Sequence, residues 1–379
     1  MSRAAYLDYN AGAPARPEVV AAVVEALAEA GNPSSIHGLG RAARHRVEQA
    51  RARVADLVEA EPAGVIFTSG GTEANALALA GCGRSRRIVS AVEHPSVREF
   101  GPVEVIPVDR HGVIDLAALG AMLAGDPRSA VVSVMMANNE TGVVQPVADA
   151  ARIAHGHGAL LHCDAAQAGG RLAVSMMRLG ADFLTLSAHK MGGPSGVGAL
   201  VLADSGFLLA PILLGGGQER RRRAGTENVP GIAGFGAAAR LGRDDLLLGH
   251  TISGQSHLRD RLESEALARV PRAVIVGAEA ARLPNTSCLA LPGLASQTQV
   301  MALDLAGVAI SAGAACSSGT VAESRVLAAM GLGPEIRGSA IRVSLGWASR
   351  PEDVECFLDA WSELARRTGF EVSGVVAAA

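Results

Sequence analysis

Short β-branched runs alternate with longer amphipathic stretches over the first 200 residues: 65–68, 87–90, 103–106, 130–134, 159–162, 183–186 and 199–202. Their length and residue types predict strands, and the stretches between them have helical spacing. Seven strands separated by helices predict an α/β fold with a mainly parallel sheet. Ligands of such sheets gather at the carboxyl ends of the strands, so the residues just beyond each run carry the most information. After about residue 250 the pattern changes. Strands over 273–277, 286–291 and 341–345, with helices over 297–306 and 351–367, predict a smaller α+β domain. A helix from about Asn228 into the segment before Leu258 joins the two without a Pro/Gly/Ser linker, so the parts are expected to pack together.

Composition narrows the class. The chain has 379 residues, 49% hydrophobic and 19% charged, a balance that suits a folded globular protein and not a disordered one. A net charge of -3 with 3% aromatic residues gives no footprint for nucleic acid, and Arg220–Arg223 reads as a solvated loop. No apolar stretch reaches the ~18 residues of a membrane span, and Met1 to Asp8 lacks a signal-peptide core, so a cytoplasmic protein is expected. Five cysteines with no CxxC pair speak against a disulfide framework and a structural zinc site. Of the 34 basic residues only Lys190 is a lysine. Codon bias explains many arginines, but a guanidinium does not deprotonate to a nucleophilic amine, so imine chemistry is the leading role for a lysine that survives such a bias.

The strand ends supply three further signals. After the first run comes Thr68-Ser69-Gly70-Gly71-Thr72, then an apolar helix. Free N–H groups at a glycine-rich helix start suit a phosphate, although Gly-Gly-Thr also serves as a plain N-cap. Asp164 stands at the tip of the fifth strand, where a carboxylate either caps the next helix or meets a cationic partner such as a protonated ring nitrogen. The sixth strand runs into Ser187-Ala188-His189-Lys190-Met191-Gly192-Gly193-Pro194. An amine, a carboxylate and a phosphate cradle at one sheet edge are what pyridoxal 5'-phosphate needs from a protein.

With Asn138-Asn139-Glu140-Thr141-Gly142, Asp164 to Gln167, Ser187 to Lys190, Arg223-Ala224-Gly225-Thr226, Ser311 to Ser318 and Ile341 to Gly346, the chain resembles NifS/IscS-type cysteine desulfurases of the class V aminotransferase family. The resemblance implies a fold type I, aspartate aminotransferase-like α/β architecture, with a large cofactor domain over 14–250 and a small domain formed by 1–13 and 251–379. It implies a homodimer that takes sulfur from L-cysteine, releases L-alanine and passes an enzyme persulfide to an iron–sulfur scaffold protein, nitrogenase cluster supply being one branch of that use. By matching motif, Lys190 corresponds to the imine-forming lysine, Asp164 to the partner of the pyridine nitrogen and Gln167 to the ring-hydroxyl contact. Gly71, Thr72, Ser187 and His189 correspond to phosphate contacts, and Thr226 to one made from the other subunit. His94 matches the imidazole that stacks on the ring, while Asn139 and Arg342 match groups around cofactor and substrate carboxylate. Without the resemblance, Arg342 reads as a strand-edge ion pair.

Cys316 lies in the small-residue stretch Ser311 to Gly319, expected to be a mobile surface loop, and corresponds to the sulfur-accepting nucleophile. It is also the one candidate for a transient iron–sulfur ligand; no resident metal is expected. Cys163, Cys288 and Cys356 sit in apolar patterns and read as inert, while Cys82 is left open. The family commonly has a threonine pair where this chain has Asp8-Tyr9-Asn10-Ala11-Gly12-Ala13-Pro14, and often alanine at Gly71. A class V aminotransferase would share the cofactor site without needing Cys316, and a selenocysteine lyase would turn over cysteine poorly.

Overall fold

The computed structural model describes residues 4–126, 128–249, 254–313 and 323–373. In chain order its strands are β1 (Ala5–Tyr6), β2 (Val65–Thr68), β3 (Arg86–Ser90), β4 (Glu104–Ile106), β5 (Ala130–Ser133), β6 (Leu160–Asp164), β7 (Phe183–Ser187), β8 (Gly198–Leu202), β9 (Val274–Ile275), β10 (Thr286–Ala290), β11 (Val308–Ala309), β12 (Ser311–Ala312) and β13 (Ala340–Ser344).

A seven-stranded sheet runs in the order β2-β8-β7-β6-β5-β3-β4. β8 is antiparallel to both neighbours and the remaining pairs are parallel, so β2, β3, β5, β6 and β7 all end at one edge. Every residue of β2, β5, β7 and β8 is buried, which explains why these strands read as continuous apolar runs. The Gly71–Gly81 helix covers one face, and the Gly38–Leu57 and Val229–Leu247 helices pack together beyond the other. Gly198 is required where β8 starts: a Cβ there would lie 2.6 Å from the carbonyl carbon of Gly70. That close approach presses the turn after β2 against the sheet edge.

A second, four-stranded antiparallel sheet has the order β12-β13-β10-β9. Its core is separate, with Phe357 and Trp361 stacked at 5.9 Å and Trp361 Nε1 donating to Gln299 Oε1 (2.9 Å). β1 pairs in parallel with β11, and Leu7 is buried in this second core, so the first residues of the chain pack with the last third of it. The helices expected over 297–306 and 351–367 are present at Ser296–Leu305 and Pro351–Arg367.

Two expectations change in detail. The long joining helix stops at Leu247, because Gly249 adopts a left-handed conformation (φ 72°) just past its end, and a separate helix starts at Gln255. The strand expected over 273–277 shortens to two residues, and Gly277, at φ 74°, turns the chain away. No helix among the described residues is long and apolar enough to cross a membrane.

Candidate active site

The common edge of the large sheet brings most of the sequence candidates together. Asp164, at the end of β6, is buried and accepts from Asn75 Nδ2 (2.8 Å) and from the backbone N–H of Ala166 (2.9 Å). The Ala166 bond closes a local turn and not a helix cap, since the next helix starts only at Met176, and no cation pairs with the carboxylate among the described residues. A buried carboxylate in that state has room for a positively charged partner. Asn75 also donates to Ser96 Oγ (2.9 Å), which meets His94 Nδ1 at 2.8 Å. Asp164 and His94 are therefore joined by a continuous hydrogen-bonded chain. His94 is exposed, caps the short Pro95–Arg98 helix, and has its pKa lowered by desolvation and by the Lys190 charge, against the pull of Asp164.

Lys190 follows β7 in a single 3-10 turn. Its Nζ donates to the carbonyls of Asn10 (2.6 Å) and Ala11 (2.9 Å). Burial, with the charges of Arg342 and Arg171 adding, lowers its pKa to about 8. His189 meets Ser187 Oγ at 3.0 Å, and burial with the adjacent Lys190 charge lowers its pKa to about 4, so its ring is neutral. Beneath them His162 is fixed between Ser133 Oγ (2.8 Å) and Thr185 Oγ1 (3.0 Å), and burial takes it to about 4 as well.

Gly71 starts the Gly71–Gly81 helix, and a Cβ on it would make ordinary contacts with Ser187 Cβ (3.5 Å) and Thr185 Cγ2 (3.6 Å). The alanine frequent in the family would fit, and the cradle lies directly against Ser187. Thr72 is exposed in the first turn of that helix. Gln167 Nε2 donates to the Asn10 carbonyl (3.0 Å), and the Asn139 carbonyl accepts from Asn10 Nδ2 (3.2 Å) and Arg342 Nη1 (3.0 Å). Arg342 lies on β13, an interior strand, and pairs with Asp8 (2.7 Å), leaving its Nε buried without an acceptor among the described residues. Thr226 is exposed on the loop before the Val229–Leu247 helix, and no described contact joins it to this group. Cys316 lies outside the described residues, as does the expected loop around it. Its flank β12 pairs Ser311 with Arg342.

Four residues of the site were not singled out by sequence. Arg171 is buried and donates to Asn10 Oδ1 (2.8 Å), Gln167 Oε1 (2.5 Å) and the carbonyls of Tyr9 (3.0 Å) and Lys190 (2.9 Å). Burial lowers its pKa to about 9. Glu93 is buried next to His94, accepts from the Met135 N–H (2.5 Å) and has its pKa raised by burial and by Asp164. Asn75 and Asn10 complete the set. Asn75 closes the stretch that begins at Thr68 and Glu93 adjoins His94, whereas no local signal marks Arg171. Cys163 and Cys288 are buried, with thiol pKa values raised by burial, as is Cys82, which resolves the position left open.

The Aminotransferase class-V family matches residues 5–357. A cysteine desulfurase of Cereibacter sphaeroides is 44% identical over 364 residues, covering 92% of each chain. The cysteine desulfurase IscS of Dictyoglomus turgidum is 38% identical over 95% of this chain and 94% of its own. The solved NifS-like protein from Rickettsia africae superposes with a TM-score of 0.89 at 35% identity, over 96% of this chain and 100% of that one. Fold and site together define a pyridoxal-phosphate-dependent enzyme of fold type I, and the chain belongs to the class-V aminotransferase family. Within that family it belongs with the cysteine desulfurases of NifS/IscS type.

The residues present fit this cofactor. Among the described residues Asp164 is a buried carboxylate without a cation and Asn75 Oδ1 is buried without a partner beside it, while Lys190 is an amine whose proton is weakly held.

Proposed function

We propose that this chain mobilises sulfur from L-cysteine, yielding L-alanine and a persulfide on Cys316. The observation that carries the reading is the sole lysine, with its lowered pKa, at the sheet edge that also holds Asp164 and the helix start at Gly71. Pyridoxal 5'-phosphate supplies, when bound, an electron sink for bond breaking at the substrate carbons. Lys190 would hold it covalently, Asp164 its ring nitrogen and Gln167 its ring hydroxyl. Its phosphate would rest on Gly71, Thr72, Ser187 and His189, with Thr226 added from the partner subunit of a homodimer.

The protein groups then divide the work. Lys190 Nζ, readily deprotonated, takes and returns the Cα proton, with His94 Nε2 as a second carrier because Nδ1 is engaged by Ser96. Arg342 holds the substrate carboxylate, for which its unpaired Nε is a spare donor, and Asn139 lines the same place. The Cys316 thiolate attacks the substrate sulfur. The S–S bond forms, the carbon–sulfur bond breaks, and its electron pair returns to the carbon skeleton, which gains protons to become alanine. An iron–sulfur scaffold protein in the cytoplasm would accept the sulfur. The same reading divides the chain into a cofactor domain over 14–250 and a small domain of 1–13 and 251–379.

Incubation with L-cysteine and a thiol reductant tests this. Alanine and sulfide should appear in equal amounts without a keto acid, and Cys316→Ala should lose sulfide release while keeping the cofactor absorbance. Alanine formed only with a keto acid would indicate an aminotransferase instead.

A further inference from the structure

The phosphate-facing helix begins with a contradiction in charge. Glu73 is its third residue, and a carboxylate in the first turn repels any anion placed at the helix N-terminus, where the backbone N–H groups and the dipole would otherwise attract it. Glu73 nevertheless has a structural task. Its Oε2 accepts from the backbone N–H of Ser69 (2.7 Å), folding the Ser69–Gly70–Gly71 turn back onto the helix in the manner of a capping box.

Arg223 resolves the contradiction. Its Nε donates to Glu73 Oε1 (2.8 Å) and its Nη2 to Glu73 Oε2 (3.2 Å), with both side chains mostly buried. The segment that carries Arg223 is held at a second point. Four residues earlier Glu219 is buried, accepts from Arg51 Nη1 (2.7 Å) and Nη2 (3.0 Å), and also accepts from the backbone N–H of Phe67 (3.0 Å) in β2. The Arg223–Glu73 ion pair thus ties the segment leading to Thr226 to the cradle turn, while Glu219 ties it to β2 through the Phe67 N–H and to the Gly38–Leu57 helix through Arg51.

Resting on the function proposed above, we infer that Glu73 and Arg223 are a charge-compensated positioning pair: Glu73 shapes the cradle turn, and Arg223 cancels its charge so that the cofactor phosphate can occupy the helix start. Neither residue touches the reacting atoms. The pair acts through the phosphate alone, so it discriminates pyridoxal 5'-phosphate from phosphate-free pyridoxal.

Full-length apoprotein is titrated with each aldehyde, following visible absorbance. Arg223→Gln should weaken pyridoxal 5'-phosphate binding about tenfold, the scale of a buried charged hydrogen bond, and leave pyridoxal unchanged. Adding Glu73→Gln to that variant should restore most of the loss, because the uncompensated charge is then gone. A purely structural clamp would make the double variant no better than Arg223→Gln and would weaken both aldehydes alike; either result overturns the inference. Should Arg223→Gln not fold, Arg223→Lys replaces it, which keeps the charge and should keep the preference for the phosphorylated form; an equal loss for both aldehydes there is overturning too. A wild type that takes up no pyridoxal 5'-phosphate overturns the parent reading together with this one, whereas normal uptake with unchanged preference in Arg223→Gln overturns this inference alone.

Discussion

Burial and the guanidinium groups of Arg342 and Arg171 lower the Lys190 pKa to about 8. Near pH 7.5 about a quarter of the amine is then unprotonated, against about one part in a thousand for an ordinary lysine near 10.4. Only the unprotonated form attacks an aldehyde, so the rate of cofactor uptake by apoprotein should rise with pH and level off above about 8. A rate still climbing tenfold per pH unit between about 9 and 10 would mean that the amine titrates as an ordinary lysine. Lys190→Arg should take up no cofactor covalently, because a guanidinium keeps its proton. Borohydride trapping should place the side-chain adduct on Lys190, the only lysine present. That residue was legible because the composition isolates it. Arg171 was not: it is one of many arginines, and its burial depends on the carbonyls of Tyr9 and Lys190 and the side chain of Asn10 converging on it.

Elements were legible where local chemistry and tertiary packing agree. The Pro351–Arg367 helix starts with proline at its first position and acidic residues in its first turn, and its expected bounds hold. The joining helix shows the opposite case, since a single glycine within a helical pattern is often tolerated and Gly249 alone does not announce the stop after Leu247. The turn Gln218–Arg221 has no local signature, yet Glu219, Arg220 and Arg221 all take left-handed conformations, with φ of 43°, 56° and 65°. Such conformations cost an L-residue roughly 1–2 kcal/mol each, and here the buried Arg51–Glu219 pair holds them in place. Arg221 is exposed, so Arg221→Gly should relieve strain and raise unfolding stability by about 0.5–1 kcal/mol in urea titrations, after the entropy of a new glycine is deducted. A loss of stability would show that the Arg221 side chain makes a contact that outweighs its backbone strain.

At the scale of the whole molecule, the site exists only where remote segments meet. Asn10 accepts from Arg171 Nη1 (2.8 Å) and Asn285 Nδ2 (3.2 Å) through Oδ1, and donates from Nδ2 to Thr286 Oγ1 (2.9 Å) and the Asn139 carbonyl (3.2 Å). Its backbone N–H bonds Ser344 Oγ (3.0 Å), while its carbonyl accepts from Lys190 and Gln167. One residue near the start of the chain therefore links the edge of the large sheet to β10 and β13 of the small one. Periodicity within any short window cannot display such a junction, because each partner lies more than a hundred residues away along the chain. Removing the side chain leaves Arg171 short of an acceptor in a buried setting, where an unmet charged donor is costly. Asn10→Ala should lower stability by about 3 kcal/mol in urea titrations. Because Asn10 also fixes the carbonyl that receives Lys190 Nζ, the same variant should slow cofactor uptake under conditions where far-UV circular dichroism still reports a folded chain. Stability within about 0.5 kcal/mol of wild type, the range of an ordinary surface change, together with normal uptake, would show that the two sheets meet without help from this junction.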